Sequence, residues 1–183
     1  TTCSGVCNGN ATVNVFNGNS PFAYQWDSAS GNQTTQQAIN LCGGTYNVTV
    51  TDALGCSATA SASVSQPPSI NAVITPFGNV SCNGDCNGFA QATVSGGTPG
   101  YIYSWSDGQI NQVASNLCAG IFEVTVMDVN GCTDTAQVII TEPQAMSSSI
   151  NVTNVSCNGN CDGSAILNAT GGLLPYTYLW SAS

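Results

Sequence analysis

The sequence contains no lysine, no arginine and no histidine. Charged residues fill only 5% of its 183 positions, and all are acidic: seven Asp and two Glu, for a formal net charge of −9. An ordinary domain is about a quarter charged. Each absence excludes a class of function. Without Lys or Arg nothing neutralises phosphates, so nucleic acid is excluded as a partner. Polybasic docking on an anionic membrane is excluded on the same ground. Without His there is no Ser-His-Asp or Cys-His unit. Without Lys there is no Schiff base, no P-loop and no Lys–Asn isopeptide crosslink. No apolar run reaches the roughly 20 residues of a membrane span, and no signal-peptide pattern is visible. Disorder does not fit either: 42% of residues are apolar, and Val, Thr, Tyr and Trp are plentiful.

What remains is organised by an internal repeat. Trp26, Trp105 and Trp180 stand 79 and 75 residues apart. The cysteine pairs Cys3/Cys7, Cys82/Cys86 and Cys157/Cys161 repeat the same steps of 79 and 75. Cys42 and Cys56 recur as Cys118 and Cys132, a step of 76. A tandem array with a unit of about 75 residues accounts for all ten cysteines. The expected boundaries are 1–68 for a first repeat lacking its first strand, 69–143 for a complete second repeat, and 144–183 for the N-terminal half of a third.

The pattern within a repeat is all-β. Tyr46, Val48 and Val50 alternate with Asn47, Thr49 and Thr51, as Phe122, Val124 and Val126 alternate in the second copy, which reads as a strand with one wet face. The turns Asp52-Ala53-Leu54-Gly55 and Asp128-Val129-Asn130-Gly131 suit tight hairpin loops. Ala136, Val138 and Ile140 share a face of the next strand, which runs out at Glu142-Pro143, as its counterpart does at Gln66-Pro67-Pro68. Earlier in the unit, Ala90, Ala92 and Val94 precede a glycine turn, and Tyr101, Tyr103 and Trp105 then line one strand face. Six or seven short strands per unit, with no helical period, indicate a small immunoglobulin-like sandwich.

Four cysteines per repeat could be read as a zinc set, but the Cys-x3-Cys spacing lacks the tight Cys-x2-Cys knuckle. Small four-cysteine sandwiches outside the cell are usually disulfide-bonded, so disulfides are expected and no metal is assigned. Four cysteines allow three pairings, and spacing does not choose among them.

The ordered set Cys82-Asn83-Gly84-Asp85-Cys86-Asn87-Gly88, Val94-Ser95-Gly96-Gly97-Thr98-Pro99, Tyr101-Ile102-Tyr103-Ser104-Trp105-Ser106, Leu117-Cys118-Ala119-Gly120, Val124-Thr125-Val126 and Asn130-Gly131-Cys132 resembles the SprB-type repeat of Bacteroidetes cell-surface proteins. The first copy departs from it, with Asn17-Gly18-Asn19-Ser20-Pro21 in the glycine turn and a longer Trp26–Cys42 segment. The resemblance implies an extracellular, type IX secreted gliding-motility or adhesion protein. It also implies a pairing: Cys82 with Cys132 and Cys86 with Cys118, hence Cys3 with Cys56 and Cys7 with Cys42. Cys157 and Cys161 would be unpaired within this sequence.

Other features carry less. Asn83-x-Asp85-x-Asn87-Gly88 mimics half of a calcium loop, but Val94 stands where its closing Glu would be, and an Asx turn explains the same residues. No cofactor is therefore expected, with calcium the one alternative. The Tyr-x-Tyr-x-Trp stripe could present sugars, yet a Trp on the third strand of a sandwich usually sits in the core against a disulfide, so Trp26, Trp105 and Trp180 are expected to be buried. The two Glu, Glu123 and Glu142, have no acidic counterpart in the first copy (Asn47 and Gln66), and no catalytic residue is assigned. Seven Asn-x-Ser/Thr triplets occur, as an Asn- and Thr-rich chain produces by chance. Asp27-Ser28-Ala29 and Asp134-Thr135-Ala136 fit a Bacteroidetes O-glycosylation signal at Ser28 and Thr135.

The functional expectation is structural and adhesive: spacer modules of a long secreted surface adhesin or filament. Their partners would be neighbouring repeats and other copies in a filament, with surface glycans as a further candidate. Two alternatives are a carbohydrate-binding module and a filament subunit completed by strand exchange. The sequence is also expected to be a window on a longer array, because its third repeat stops three residues past Trp180.

Overall fold

The computed structural model describes residues 1–181. The first repeat contributes β1 (Gly9–Thr12), β2 (Ala23–Trp26), β3 (Gln37–Leu41), β4 (Gly44–Thr51) and β5 (Ser57–Val64). The second contributes β6 (Asn71–Gly78), β7 (Gly88–Ser95), β8 (Ile102–Trp105), β9 (Val113–Leu117), β10 (Gly120–Met127) and β11 (Thr133–Ile140). A hairpin of β12 (Ser147–Thr153) and β13 (Ser164–Thr170) opens the third. The one helical element among the described residues is a three-residue 3-10 turn, Ser28–Ser30.

Strand order defines the fold. In the second repeat one sheet runs β6-β7-β9 and the other β8-β10-β11. In immunoglobulin lettering these are A-B-E and C-F-G, the constant-type sandwich without strand D. The first repeat has β1-β3 and β2-β4-β5, the same two sheets without the strand equivalent to β6. The chain is all-β, built of tandem immunoglobulin-like sandwiches. It packs as two compact units. One comprises Thr1–Ala72, Val94–Tyr103 and Thr125–Thr135; the other comprises Val73–Thr93, Ser104–Val124 and Ala136–Ser183.

Alternation puts the apolar residues inside. The first core gathers Ala11, Ala38 and Leu41 from one sheet and Trp26, Tyr46, Val48 and Val50 from the other. Ala90, Ala92, Ala114 and Leu117, with Trp105, Val124, Val126, Val138 and Ile140, are the buried counterparts in the second repeat. Both repeats carry a bulge at the same place, where Asn40 in β3 and Asn116 in β9 take a left-handed φ of 55°. Asn is the non-glycine residue that tolerates this conformation best.

Trp26 and Trp105 are 2% and 3% exposed, and each indole N–H donates to a backbone carbonyl, Thr35 O at 2.9 Å and Asn111 O at 2.8 Å. Trp180 corrects the expectation outright, being 58% exposed. What covers Trp26 lies after it in sequence: Val48 of β4 pairs directly opposite it. No strand follows Trp180 among the described residues.

Removing a buried Trp typically costs about 3–5 kcal/mol, and an exposed position costs within about 0.5 kcal/mol. Urea unfolding should therefore show Trp105→Ala destabilised by several kcal/mol and Trp180→Ala unchanged. Equal losses would contradict the difference in burial.

Candidate functional site: a covalent joint between successive repeats

Two side chains position the hairpin cysteines Cys56 and Cys132. In the hairpin after β4, Asp52 Oδ1 accepts the N–H groups of Leu54 and Cys56, each at 2.9 Å, and Oδ2 accepts Asn19 N–H at 3.2 Å. Asp128 repeats the device after β10. Its Oδ1 accepts Asn130 and Cys132 N–H at 2.9 Å, and its Oδ2 accepts Thr98 N–H at 2.8 Å. Asp128 is 1% exposed, and the Thr98 N–H, with those of Cys132 and Asn130, holds its carboxyl below the ordinary range although burial opposes this. The Asp thus fixes the hairpin that presents the following cysteine and ties it to the glycine turn.

The second element is the loop before β1. Gly5 N–H donates to Gln66 Oε1 at 3.3 Å. Cys3 therefore lies beside the end of β5, whereas Cys56 lies just before its start. A strand of eight residues is about 26 Å long. Disulfide Cα atoms stand less than about 7 Å apart. Cys3 and Cys56 do not meet.

The bond found is Cys3–Cys132, with Cα atoms 5.7 Å apart, between the first cysteine of one repeat and the hairpin cysteine of the next. This corrects the pairings Cys3–Cys56 and Cys82–Cys132, and leaves Cys56 and Cys82 as exposed free thiols. Cys7–Cys42 and Cys86–Cys118 are bonded. Each joins the loop before the second sandwich strand to the loop after β3 or β9. Cys157 and Cys161 are free and exposed.

Around Cys3–Cys132 the connecting segment is held by both backbone and side-chain groups. Gly97 N–H donates to Pro68 O at 3.0 Å, Ser69 Oγ to Ser4 Oγ at 3.0 Å, and Ala72 N–H to Asp134 Oδ2 at 2.7 Å. Gly96, at φ +69°, lies against the Ser69 carbonyl, and a Cβ there would overlap that oxygen. Pro67-Pro68 contributes no N–H that would need a partner.

The remaining candidates fall as follows. Tyr101 and Tyr103 are half-buried beside buried Trp105, so the aromatic stripe of the second repeat faces inward. Asn87 Oδ1 accepts Ser81 N–H at 3.0 Å and so serves the turn, whereas Asn83 donates to Pro143 O at 3.2 Å and ties the loop to the segment after β11. Among the described residues no group of three His, Cys, Asp or Glu converges. Ser28 and Thr135 are exposed, on the 3-10 turn and on β11. Gln33 and Gln109 were not singled out in the sequence. Gln33 clasps Ile39 through both backbone groups (2.9 and 3.0 Å), and Gln109 clasps Ser115 likewise. Their spacing of 76, the same as that of Cys42 and Cys118, was the available signal.

Asp128 generates a pH dependence. A carboxyl whose folded-state pKa is depressed stabilises the fold above its unfolded value of about 3.9, and that stabilisation is lost as pH falls through the folded value. The melting temperature should be level from about pH 7 to 5 and decline below about pH 4. Asp128→Asn should melt lower than the parent at pH 7, with the gap closing near pH 2. In addition, Cys3→Ser should destabilise the oxidised chain by about 2–5 kcal/mol in urea titrations; an unchanged midpoint would show the bridge to be without thermodynamic weight.

Two segments of the chain, residues 74–110 and 149–183, match the SprB repeat model. Curated protein sequences gave no match. Similar solved structures include the N-terminal eight Ig domains of Down Syndrome Cell Adhesion Molecule isoform 1.30.30. That pair is 11% identical, covers 94% of this chain and 31% of that one, and has a TM-score of 0.35. Another is the amphioxus IgVJ-C2 molecule, at 16% identity, 75% and 98% coverage and a TM-score of 0.33. The chain spans about a third of the first structure's length. In these two segments the chain is similar to the SprB repeat.

Proposed function

We propose that these repeats are spacer modules of a secreted cell-surface adhesin, made to project a binding region away from the cell. The observation that carries this reading is the Cys3–Cys132 bond, which fastens one repeat to the next and not merely a repeat to itself. A module whose task is a local binding site has no need of that bond; a module whose task is to keep a defined relation to its neighbour does. The SprB matches support a cell-surface setting, and the family resemblance extends it to type IX secretion and gliding motility. Three disulfides suit an oxidising exterior. The absence of Lys and Arg leaves no trypsin site, and the net charge of −9 opposes lateral clumping.

The inward aromatic stripe favours this reading over a sugar-binding module. Among the described residues no helix is long and apolar enough to cross a membrane.

Proteins carrying two, four and eight complete repeats test the proposal by electron microscopy. Particle length should rise linearly with repeat number while the bridges are intact. A length that stops rising would defeat the spacer reading. Saturable binding of a glycan by the two-repeat protein, abolished by Trp105→Ala without unfolding, would replace it with the carbohydrate-binding one.

A further inference from the structure

The pattern of free cysteines has a regularity of its own. Cys3 of the first repeat bonds the hairpin cysteine of the second, Cys132. Moved forward one period, the same rule joins Cys82 to the hairpin cysteine of a third repeat, a position that falls beyond residue 183. Moved backward, it joins Cys56 to the first cysteine of a preceding repeat. Cys56 and Cys82 are the two free, exposed thiols of the first two repeats.

The non-covalent half of the joint already recurs one period on. Gly172 N–H donates to Gln144 O at 2.7 Å, as Gly97 N–H does to Pro68 O at 3.0 Å. A Cβ at Gly171, φ +77°, would overlap the Ala145 carbonyl, as one at Gly96 would overlap that of Ser69. Gly84 N–H donates to Glu142 Oε2 at 2.7 Å, in the place of Gly5 and Gln66. Cys82 therefore occupies a second copy of the seat that holds Cys3.

Resting on the spacer reading, we propose that Cys56 and Cys82 are covalent attachment points for neighbouring repeats. Cys82 takes the hairpin cysteine of the repeat that follows, and Cys56 takes the first cysteine of the repeat that precedes. The partner is a repeat of this same type, with its cysteine held by an Asp-led hairpin like that of Asp128. Each bond forms as two thiols lose two electrons and two protons to a disulfide oxidant such as oxidised glutathione, which is reduced to two thiols.

The test lengthens the chain at each end in turn. In the first protein, residues 107–143 of the second repeat are joined after Ser181, completing the third repeat. After refolding with oxidised glutathione, peptide mapping without reduction should find Cys82 bonded to the added counterpart of Cys132. Cys161 should bond the added counterpart of Cys118, leaving Cys56 and Cys157 open to alkylation. In the same protein Cys82→Ser should expose the added hairpin cysteine to alkylation. In the second protein, residues 69–154 are placed ahead of Thr1, and the added counterpart of Cys82 should bond Cys56.

Bonding of the added hairpin cysteine to Cys157, with Cys82 still alkylated, would overturn the proposal. So would an added Cys82 counterpart bonded within its own repeat in the second protein. Should the completed third repeat fail to fold, seen as an unbonded Cys161, the second protein decides alone. The spacer reading is judged separately by particle length, so bonding within repeats would sink this inference and leave that one standing.

Discussion

Cys3 and Cys56 sit at opposite ends of β5, and an eight-residue strand keeps them some 26 Å apart. No rotamer change closes such a gap, so the two cysteines that the family resemblance would pair stay apart, and Cys3 bonds Cys132 instead. Much of the remaining architecture depends on this. The hairpin after β10 has to be rigid enough to offer Cys132, which explains a buried Asp spending all its acceptors on that hairpin and its neighbouring turn. The connecting segment passes close to the glycine turn, which explains a glycine where any side chain would strike the Ser69 carbonyl.

Within each sandwich a different bond does local work. Cores built on Ala, Val and one Trp bury little surface, and domains of this size are marginal on burial alone. Cys7–Cys42 and Cys86–Cys118 close loops of 35 and 32 residues, each worth up to about 4 kcal/mol on the chain-entropy view. The clasps by Gln33 and Gln109 hold the neighbouring bulged strand without any charge. That is how a chain with no cation organises its edges.

The fold was largely legible because its signals are local. Alternation at Tyr46–Val50 and Phe122–Val126, the Asp-to-Gly hairpins and the Trp of the third strand each state their own structure. The bonding partner of Cys3 was not legible, since it depends on which ends of two strands meet, and neither periodicity nor spacing encodes that. Family resemblance misled here by suggesting a bond inside the repeat. Trp180 failed for a related reason: its neighbours Tyr176 and Tyr178 match the buried stripe, but burial comes from strands later in the repeat, as Val48 shows for Trp26. The clasping glutamines were visible as a 76-residue recurrence yet looked like ordinary polar surface.

The Cys3–Cys132 bond also changes what happens when the chain is pulled from its two ends. Tension reaching Cys3 along the chain crosses to Cys132 through sulfur and continues beyond it. Everything between hangs beside the stressed path as a slack loop. The bond spans a separation of 129 residues, within which Cys7–Cys42 and Cys86–Cys118 close smaller loops of their own. Both sandwiches up to the second hairpin could lose their structure without lengthening the molecule. A reductant would open this bond and bring the strands between Cys3 and Cys132 into the loaded path.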